Sequence, residues 1–378
     1  MNRDTARGPR VLFVSKAVVP PWNDGSKNLV RDVAANLAHA RATVMTTPDA
    51  ELLAPGVTND HVYHTSSRFA PALAENARVL LRLLSRDDHD AWAFAFAPNP
   101  RTSFVARGAI MAARARGFRG KVIQIIASSP RSFRGVSRLL FGDVVIALSE
   151  FSRGRLLGAG VTRDVRVIPP CARPLRLPTL QELREVRARY DLGDGPLILY
   201  PGDYEVSTGA QTMAMAVRAI TAAHPGAHVL FACREKTPRS ADARAAIESE
   251  LALAGLADVT RHAGNVPDMA PLIHAADVIA FPVDDLYGKV DIPLVLLEAM
   301  AAQKPVIVCR GGPLGMLQQA PAIEPQDAAA LAEEIGKLLG DPHLAAHIGQ
   351  AGADLYHARF SPQVVAAAYD ALFAELCG

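Results

Sequence analysis

The chain has 378 residues, half of them hydrophobic and 21% charged, with a formal charge of +2 at pH 7. That length holds two domains with separate cores, and the near-neutral balance argues against nonspecific nucleic-acid binding. Four singly scattered cysteines, Cys171, Cys233, Cys309 and Cys377, give neither a disulfide framework nor a C-x-x-C metal knuckle, and no apolar run approaches the ~20 residues of a bilayer span.

The first ten residues lack the apolar core of a signal peptide, so a reducing, cytoplasmic location is the expectation. Val11–Val14 reads as a first buried strand, followed by a loop and a helix over Asn28–Ala40. Ala42–Thr47, Ala91–Phe96, Lys121–Ile126, Asp143–Leu148 and Val165–Ile168 continue the strand series. Continuous apolar strands separated by helices imply a parallel sheet covered on both faces. Arginines crowd this half, from Arg101 to Arg138. They read either as a solvated surface or as a face that meets anionic lipid or a phosphorylated acceptor, with contact at the inner face of the membrane.

The proline-rich stretch Pro169–Pro178 reads as a linker, and a charged helix over Leu180–Tyr190 follows it. The rhythm restarts with strands at Pro196–Tyr200, His228–Ala232, Val259–His262, Val278–Phe281 and Val306–Cys309. Helices over Asp327–Leu339, Pro342–Tyr356 and Ser361–Leu376 finish the chain. Two doubly wound α/β halves facing each other across a cleft are expected, with ligand at the carboxyl ends of the strands. The expected boundaries are 1–175 for an acceptor domain, 176–360 for a donor domain, and 361–378 for a terminal helix returning to the first.

The stretch from Asp291 to Val308 is the most informative. Asp291 stands before an amphipathic helix, Pro293 suits its first position, and Glu298 follows about two turns on. Helix N-termini attract anions through free N–H groups and the macrodipole, so a phosphorylated ligand fits here, with Glu298 accepting from hydroxyls. An ordinary αβ unit with a solvated Glu298 explains the pattern equally well. No G-x-G-x-x-G follows the first strand and no histidine or acidic metal motif occurs, so neither a nicotinamide cofactor nor a metal is expected.

An ordered set of motifs carries a resemblance. It runs Leu-Ile-Leu-Tyr-Pro-Gly202, Arg261-His-Ala-Gly-Asn-Val266, His274-Ala-Ala-Asp277-Val-Ile-Ala-Phe-Pro282 and Pro293-Leu-Val-Leu-Leu-Glu-Ala-Met-Ala. With Val-Val-Pro-Pro-Trp-Asn-Asp-Gly-Ser26, Val145-Ile-Ala-Leu-Ser-Glu-Phe-Ser152 and Val167-Ile-Pro-Pro170 in the first half, nearly the whole chain resembles family-4 glycosyltransferases of the GT-B fold. The resemblance implies that Glu298 holds the donor ribose and that backbone around Asp291, Ile292, Pro293 and Leu294 faces the sugar and diphosphate. It implies that Asn265 and Val266 read the base and that Gly25 and Ser26 lie beneath the phosphates.

The departures fall on charge. Where the family carries Arg after a glycine and Lys five residues later, this chain has Asp203 and Thr208, following Gly202. Val290 replaces the first of the paired glutamates, and Asp291 beside it is the expected substitute toward the sugar. Lys289, Arg234 and Lys27 are the candidate replacement cations. Asp203 and Glu205 read either as binding a polar group of the donor or acceptor or as plain Gly-Asp turn chemistry, and Gly311–Gly315 resembles the family's second glycine loop or is a simple strand-to-helix turn. Asn99 and Arg101 are the acceptor-side candidates, or a helix cap with proline punctuation. The resemblance thus implies a retaining transferase moving a sugar from a nucleotide-diphosphate sugar to a glycan, lipid-linked or small-molecule hydroxyl. The alternative is a noncatalytic relative acting as a binding or partner subunit.

Overall fold

In the computed structural model, residues 8–64, 73–85, 88–235 and 237–378 are described. The first seven residues, part of the stretch read for a leader, lie outside them. The chain divides into two units: Met1–Arg173 with Tyr287–Leu294 and Arg359–Gly378, and Pro174–Leu286 with Val295–Ala358.

The first unit runs β1 (Arg10–Val14), α1 (Gly25–Ala34), β2 (Arg41–Met45), β3 (Thr58–Asp60), α2 (Leu73–Leu84), β4 (Ala91–Ala95), α3 (Pro100–Ala115), β5 (Lys121–Ile125), β6 (Val144–Ala147), α4 (Glu150–Gly158) and β7 (Asp164–Val167). Its seven-stranded sheet has the order β3-β2-β1-β4-β5-β6-β7 and is parallel throughout. β1 and β4 buried Val11, Leu12, Phe13, Trp92 and Phe94 are flanked on both faces, which is why these strands read as unbroken apolar runs. Right-handed crossovers put α2, α3 and α4 on one face and α1 on the other. Trp92 stacks on Phe118 at 4.1 Å within the α2–α3 side of the core.

The second unit runs α5 (Leu180–Arg189), β8 (Leu197–Tyr200), α6 (Gly209–Ala223), β9 (His228–Phe231), α7 (Pro238–Leu253), β10 (Thr260–His262), α8 (Ala270–Ala275), β11 (Val278–Phe281), α9 (Leu294–Ala301), β12 (Val306–Cys309), β13 (Ala322–Ile323), α10 (Ala328–Gly340) and α11 (Pro342–Arg359). The parallel sheet order is β10-β9-β8-β11-β12-β13. The last helix, α12 (Pro362–Cys377), packs on α1 in the first unit.

Several boundaries differ from the sequence reading. α1 starts at Gly25, three residues early, because the Asp24 carboxylate accepts from the Ser26 and Lys27 N–H groups and caps it. It ends at Ala34, well short of Ala40. α9 starts at Leu294, so Pro293 stands immediately before the helix. The segment Tyr287–Leu294, expected wholly in the second domain, belongs to the first unit.

Candidate functional site

In each sheet the strand order reverses once, between β1 and β4 and between β8 and β11. Open α/β sheets bind ligands at the carboxyl ends of strands beside such a switch point. In the second unit, Gly202, Asp203 and Thr208 follow β8, while Asp284 follows β11. The two sides meet directly. Asp284 accepts from the Thr208 N–H at 2.9 Å and from its hydroxyl at 2.8 Å. A carboxylate therefore sits at the N-terminus of the fifteen-residue helix α6, where its dipole favours negative charge.

Close packing explains the glycines at this edge. A Cβ on Gly202 would lie 2.2 Å from both Cζ and Oη of Tyr200, a fully buried ring whose hydroxyl donates to the Asp203 carbonyl at 2.9 Å. On Gly209 it would lie 2.9 Å from the same hydroxyl and 3.1 Å from the Pro282 carbonyl. Asp203 is buried and accepts from Val206 N–H at 2.7 Å and Ser207 N–H at 3.3 Å, so its carboxylate closes the turn. Glu205, next along, takes the hydroxyls of Thr237 and Ser240.

The neighbouring strand ends supply the other expected groups. Arg234 is half-buried after β9, and Asn265 is exposed and Val266 half-buried after β10. Gly264, with φ +64°, turns the chain there in a conformation that favours glycine. Below them His262 stacks on Phe231 at 4.8 Å, and its Nδ1 shares a 2.7 Å hydrogen bond with Tyr204. Burial, with the Arg244 charge behind it, pushes the His262 pKa down to about 4 against the opposing pull of Glu248. The imidazole is neutral at pH 7, and its Nε2 is buried with no hydrogen-bond partner among the described residues. Glu298 is half-buried on α9.

In the first unit, Gly25 and Ser26 open α1 after the β1 loop. The Ser26 hydroxyl donates to Asp24 at 2.6 Å, and Lys16 pairs with the same carboxylate at 2.7 Å. Burial opposes the Asp24 charge, but Lys16 and the donated hydrogen bonds bring its pKa down to about 2. The Lys27 ammonium donates to the Pro21 carbonyl at 2.8 Å and lies 5.6 Å from the Trp22 ring. A Cβ on Gly25 would approach Val290 to 3.3 Å, so this loop and the 287–294 segment pack closely. Asn99 caps α3, accepting from the Thr102 N–H at 3.0 Å, while Arg101 is exposed on its first turn. Of the two readings for Asn99, the cap is the one its side chain performs.

Asp291 differs most from expectation. Read as reaching toward a sugar, it is 2% exposed, and its two oxygens accept from the Ser129 and Ser149 hydroxyls. Ser129 and Ser149 follow β5 and β6, and the Ser129 N–H also donates to the Lys289 carbonyl at 3.0 Å. Asp291 therefore fastens the 287–294 segment to the carboxyl edge of the first sheet, which places the half-buried Lys289 and buried Ile292, Pro293 and Leu294 there. Asp284, Ser129 and Ser149 were not singled out from sequence. Ser149 lies inside a quoted motif, but its partner is 142 residues away. Among the described residues, no three His, Cys, Asp or Glu side chains are grouped as a metal site.

Comparison with known proteins adds three findings. Residues 195–341 match the family described as "Glycosyl transferases group 1". No curated protein matches the sequence. Among solved structures, sucrose-phosphate synthase from Thermosynechococcus elongatus is similar over 98% of this chain and 99% of its own, at 21% identity and TM-score 0.74. Anabaena HepE in complex with UDP-glucose is similar over 97% and 100%, at 17% identity and TM-score 0.75. A glycosyltransferase from Rickettsia africae is similar over 98% of both, at 18% identity and TM-score 0.71. The fold is GT-B, two parallel-sheet Rossmann-like units.

Proposed function

We propose, from a group 1 glycosyltransferase domain carried on a GT-B fold, that the chain transfers a sugar from a nucleotide-diphosphate sugar to an acceptor hydroxyl with retention of configuration. The observation that carries this reading is the family match over 195–341, which spans the β8/β11 switch point and all of α9. We assign Glu298 to the ribose hydroxyls, Asn265 and Val266 to the base, and Gly202 and Thr208 to the edge the donor approaches. Lys289 and Arg234 are assigned to the diphosphate, with the backbone at Ile292, Pro293 and Leu294, the latter opening α9 toward developing negative charge. Gly25 and Ser26 are assigned to the donor phosphates and Arg101 to the acceptor, while Asn99 caps the helix that carries Arg101. Asp291 is a positioning residue that holds Lys289, because its own oxygens are engaged by Ser129 and Ser149. The chemistry asks for no metal: a cation and oriented N–H groups stabilise the departing diphosphate.

One observation favours a second reading, a noncatalytic nucleotide-sugar-binding or partner subunit. Asp203 and Thr208 replace two cations, and the Asp284 carboxylate already occupies the Thr208 N–H. Incubation with a panel of nucleotide sugars separates the two. Slow donor hydrolysis supports transfer; saturable binding without turnover supports the subunit. Glu298→Ala is expected to weaken donor binding by roughly tenfold or more, as loss of charged hydrogen bonds does. Unchanged binding removes the ribose assignment. Lys289→Ala is expected to lower turnover with little change in the melting temperature, and unchanged turnover removes the substitute-cation role.

A further inference from the structure

From residue 91 to residue 142 the sequence carries eight arginines and Lys121 without a single aspartate or glutamate, in a chain whose formal charge is only +2. The fold gathers much of this stretch on one face, the α2–α3–α4 side of the first unit. α3 is apolar on both sides. Ala106, Ala109, Ile110 and Ala113 are buried against the sheet. At 100° per residue the opposite side carries Phe104 and Met111, 81% and 72% exposed, with Gly108 and Ala115 beside them, and Val105, 48% exposed, flanks it.

Neighbouring helices continue the pattern. Leu81 on α2 is 67% exposed, and Phe151 and Leu157 on α4 are exposed as well. Exposed arginines stand among them, Arg134 and Arg138 in the segment after β5 that packs on α3. Arg107 braces that segment, donating to the Arg138 and Leu140 carbonyls at 2.6 and 2.8 Å. The acids that follow the stretch are paired, Asp143 with Arg114 and Glu150 with Arg153, and Asp88 and Asp90 before it pair with Arg10.

We propose that this face docks on an anionic bilayer, with Phe104, Met111 and Leu81 entering the acyl boundary and the arginines meeting lipid phosphates. Charge complementarity selects the occupant: large apolar side chains interleaved with guanidinium groups, with Asp143 and Glu150 each paired to an arginine, match a negatively charged headgroup layer. Among the described residues no helix is long and apolar enough to cross a membrane, so the contact is one of surface docking. The proposal is independent of the sugar-transfer reading.

The test is flotation of the full chain with vesicles of phosphatidylcholine alone or with about 30% phosphatidylglycerol, at ~0.1 and ~0.5 M salt. Flotation is expected with the anionic vesicles only, falling severalfold at high salt. Phe104→Ser with Met111→Ser is expected to cut flotation by about tenfold at unchanged melting temperature, since two anchors no longer enter the acyl region. Arg134→Gln with Arg138→Gln weakens binding and flattens its salt dependence, while Met215→Ser, an exposed site on α6, changes nothing. Absent flotation, equal flotation with neutral vesicles, or wild-type flotation by the serine pair overturns the proposal. So does displacement from the vesicles by an oligouridylate at equal phosphate concentration, which would make the face a general polyanion site.

Discussion

Two single positions show how tightly the edges of the sheets are specified. Gly202 is glycine because the Tyr200 ring, fully buried and hydrogen-bonded to the Asp203 carbonyl, occupies the space a Cβ would need. Gly202→Ala forces either the backbone or the ring to move, at a cost of about 2–3 kcal/mol. Chemical denaturation should show the midpoint falling with an unchanged slope; a wild-type midpoint would mean the loop relaxes freely. Asp24 makes the second case, through charge. Its pKa is held below the ordinary aspartate value of 3.8, at about 2, so the unfolded chain takes up the proton first as pH falls. The stability from this carboxylate is complete above about pH 4 and is lost as pH drops through 2. Asparagine caps a helix nearly as well as aspartate, so Asp24→Asn isolates the charge. The variant should be less stable by about 2 kcal/mol at pH 7, a gap that falls by roughly half at pH 3. A gap independent of pH would place the effect in the cap.

At the scale of elements, α12 shows what the sequence disclosed and what it hid. Its Asp370 carboxylate accepts from the N–H groups of Ala38, His39 and Ala40 at 2.7, 3.2 and 2.8 Å, Phe373 meets Phe13 edge-on at 6.2 Å, and Glu375 takes both terminal nitrogens of Arg166 at 2.6 Å. Asp370→Ala strands these donors and should cost about 2–4 kcal/mol, with Asp370→Asn recovering part, as thermal unfolding would report. An Asp370→Ala protein as stable as the parent would mean water replaces the carboxylate. The helix itself was legible, since Ser361 followed by a proline and an apolar period is local information. Its partners were not: Asp370 and Ala38 are 332 residues apart. The same division runs through the chain. Buried central strands such as Ala91–Ala95 announce themselves, whereas β3, Thr-Asn-Asp, and the two-residue β13 lie at sheet edges with no apolar run to read. At the site, Gly-Asp at 202–203 carried its turn in its composition. The pairing of Thr208 with Asp284, and of Asp291 with Ser129 and Ser149, is tertiary and leaves no periodic trace.

For the whole molecule, connectivity decides what can fold alone. The first unit is assembled from three pieces of chain, 1–173, 287–294 and 359–378, so cutting at the linker removes two of them. A fragment of residues 1–173 keeps its seven strands but uncovers the α1 side, where Phe13 is fully buried and the Ala38–Ala40 N–H groups depend on Asp370. Losing the 287–294 segment is the milder defect, because the Ser149 hydroxyl still caps α4 through the Ser152 N–H at 3.0 Å. The terminal helix is thus the missing part that matters. Residues 1–173 alone should show no cooperative thermal transition and should bind a dye specific for exposed apolar surface. Joining 359–378 to residue 173 through a Gly/Ser linker of roughly 15 residues, long enough to behave as a flexible coil, should restore a cooperative transition. Cooperative unfolding of 1–173 by itself, at the temperature of the fused form, would show that α12 is an accessory to the first unit and not a member of its core.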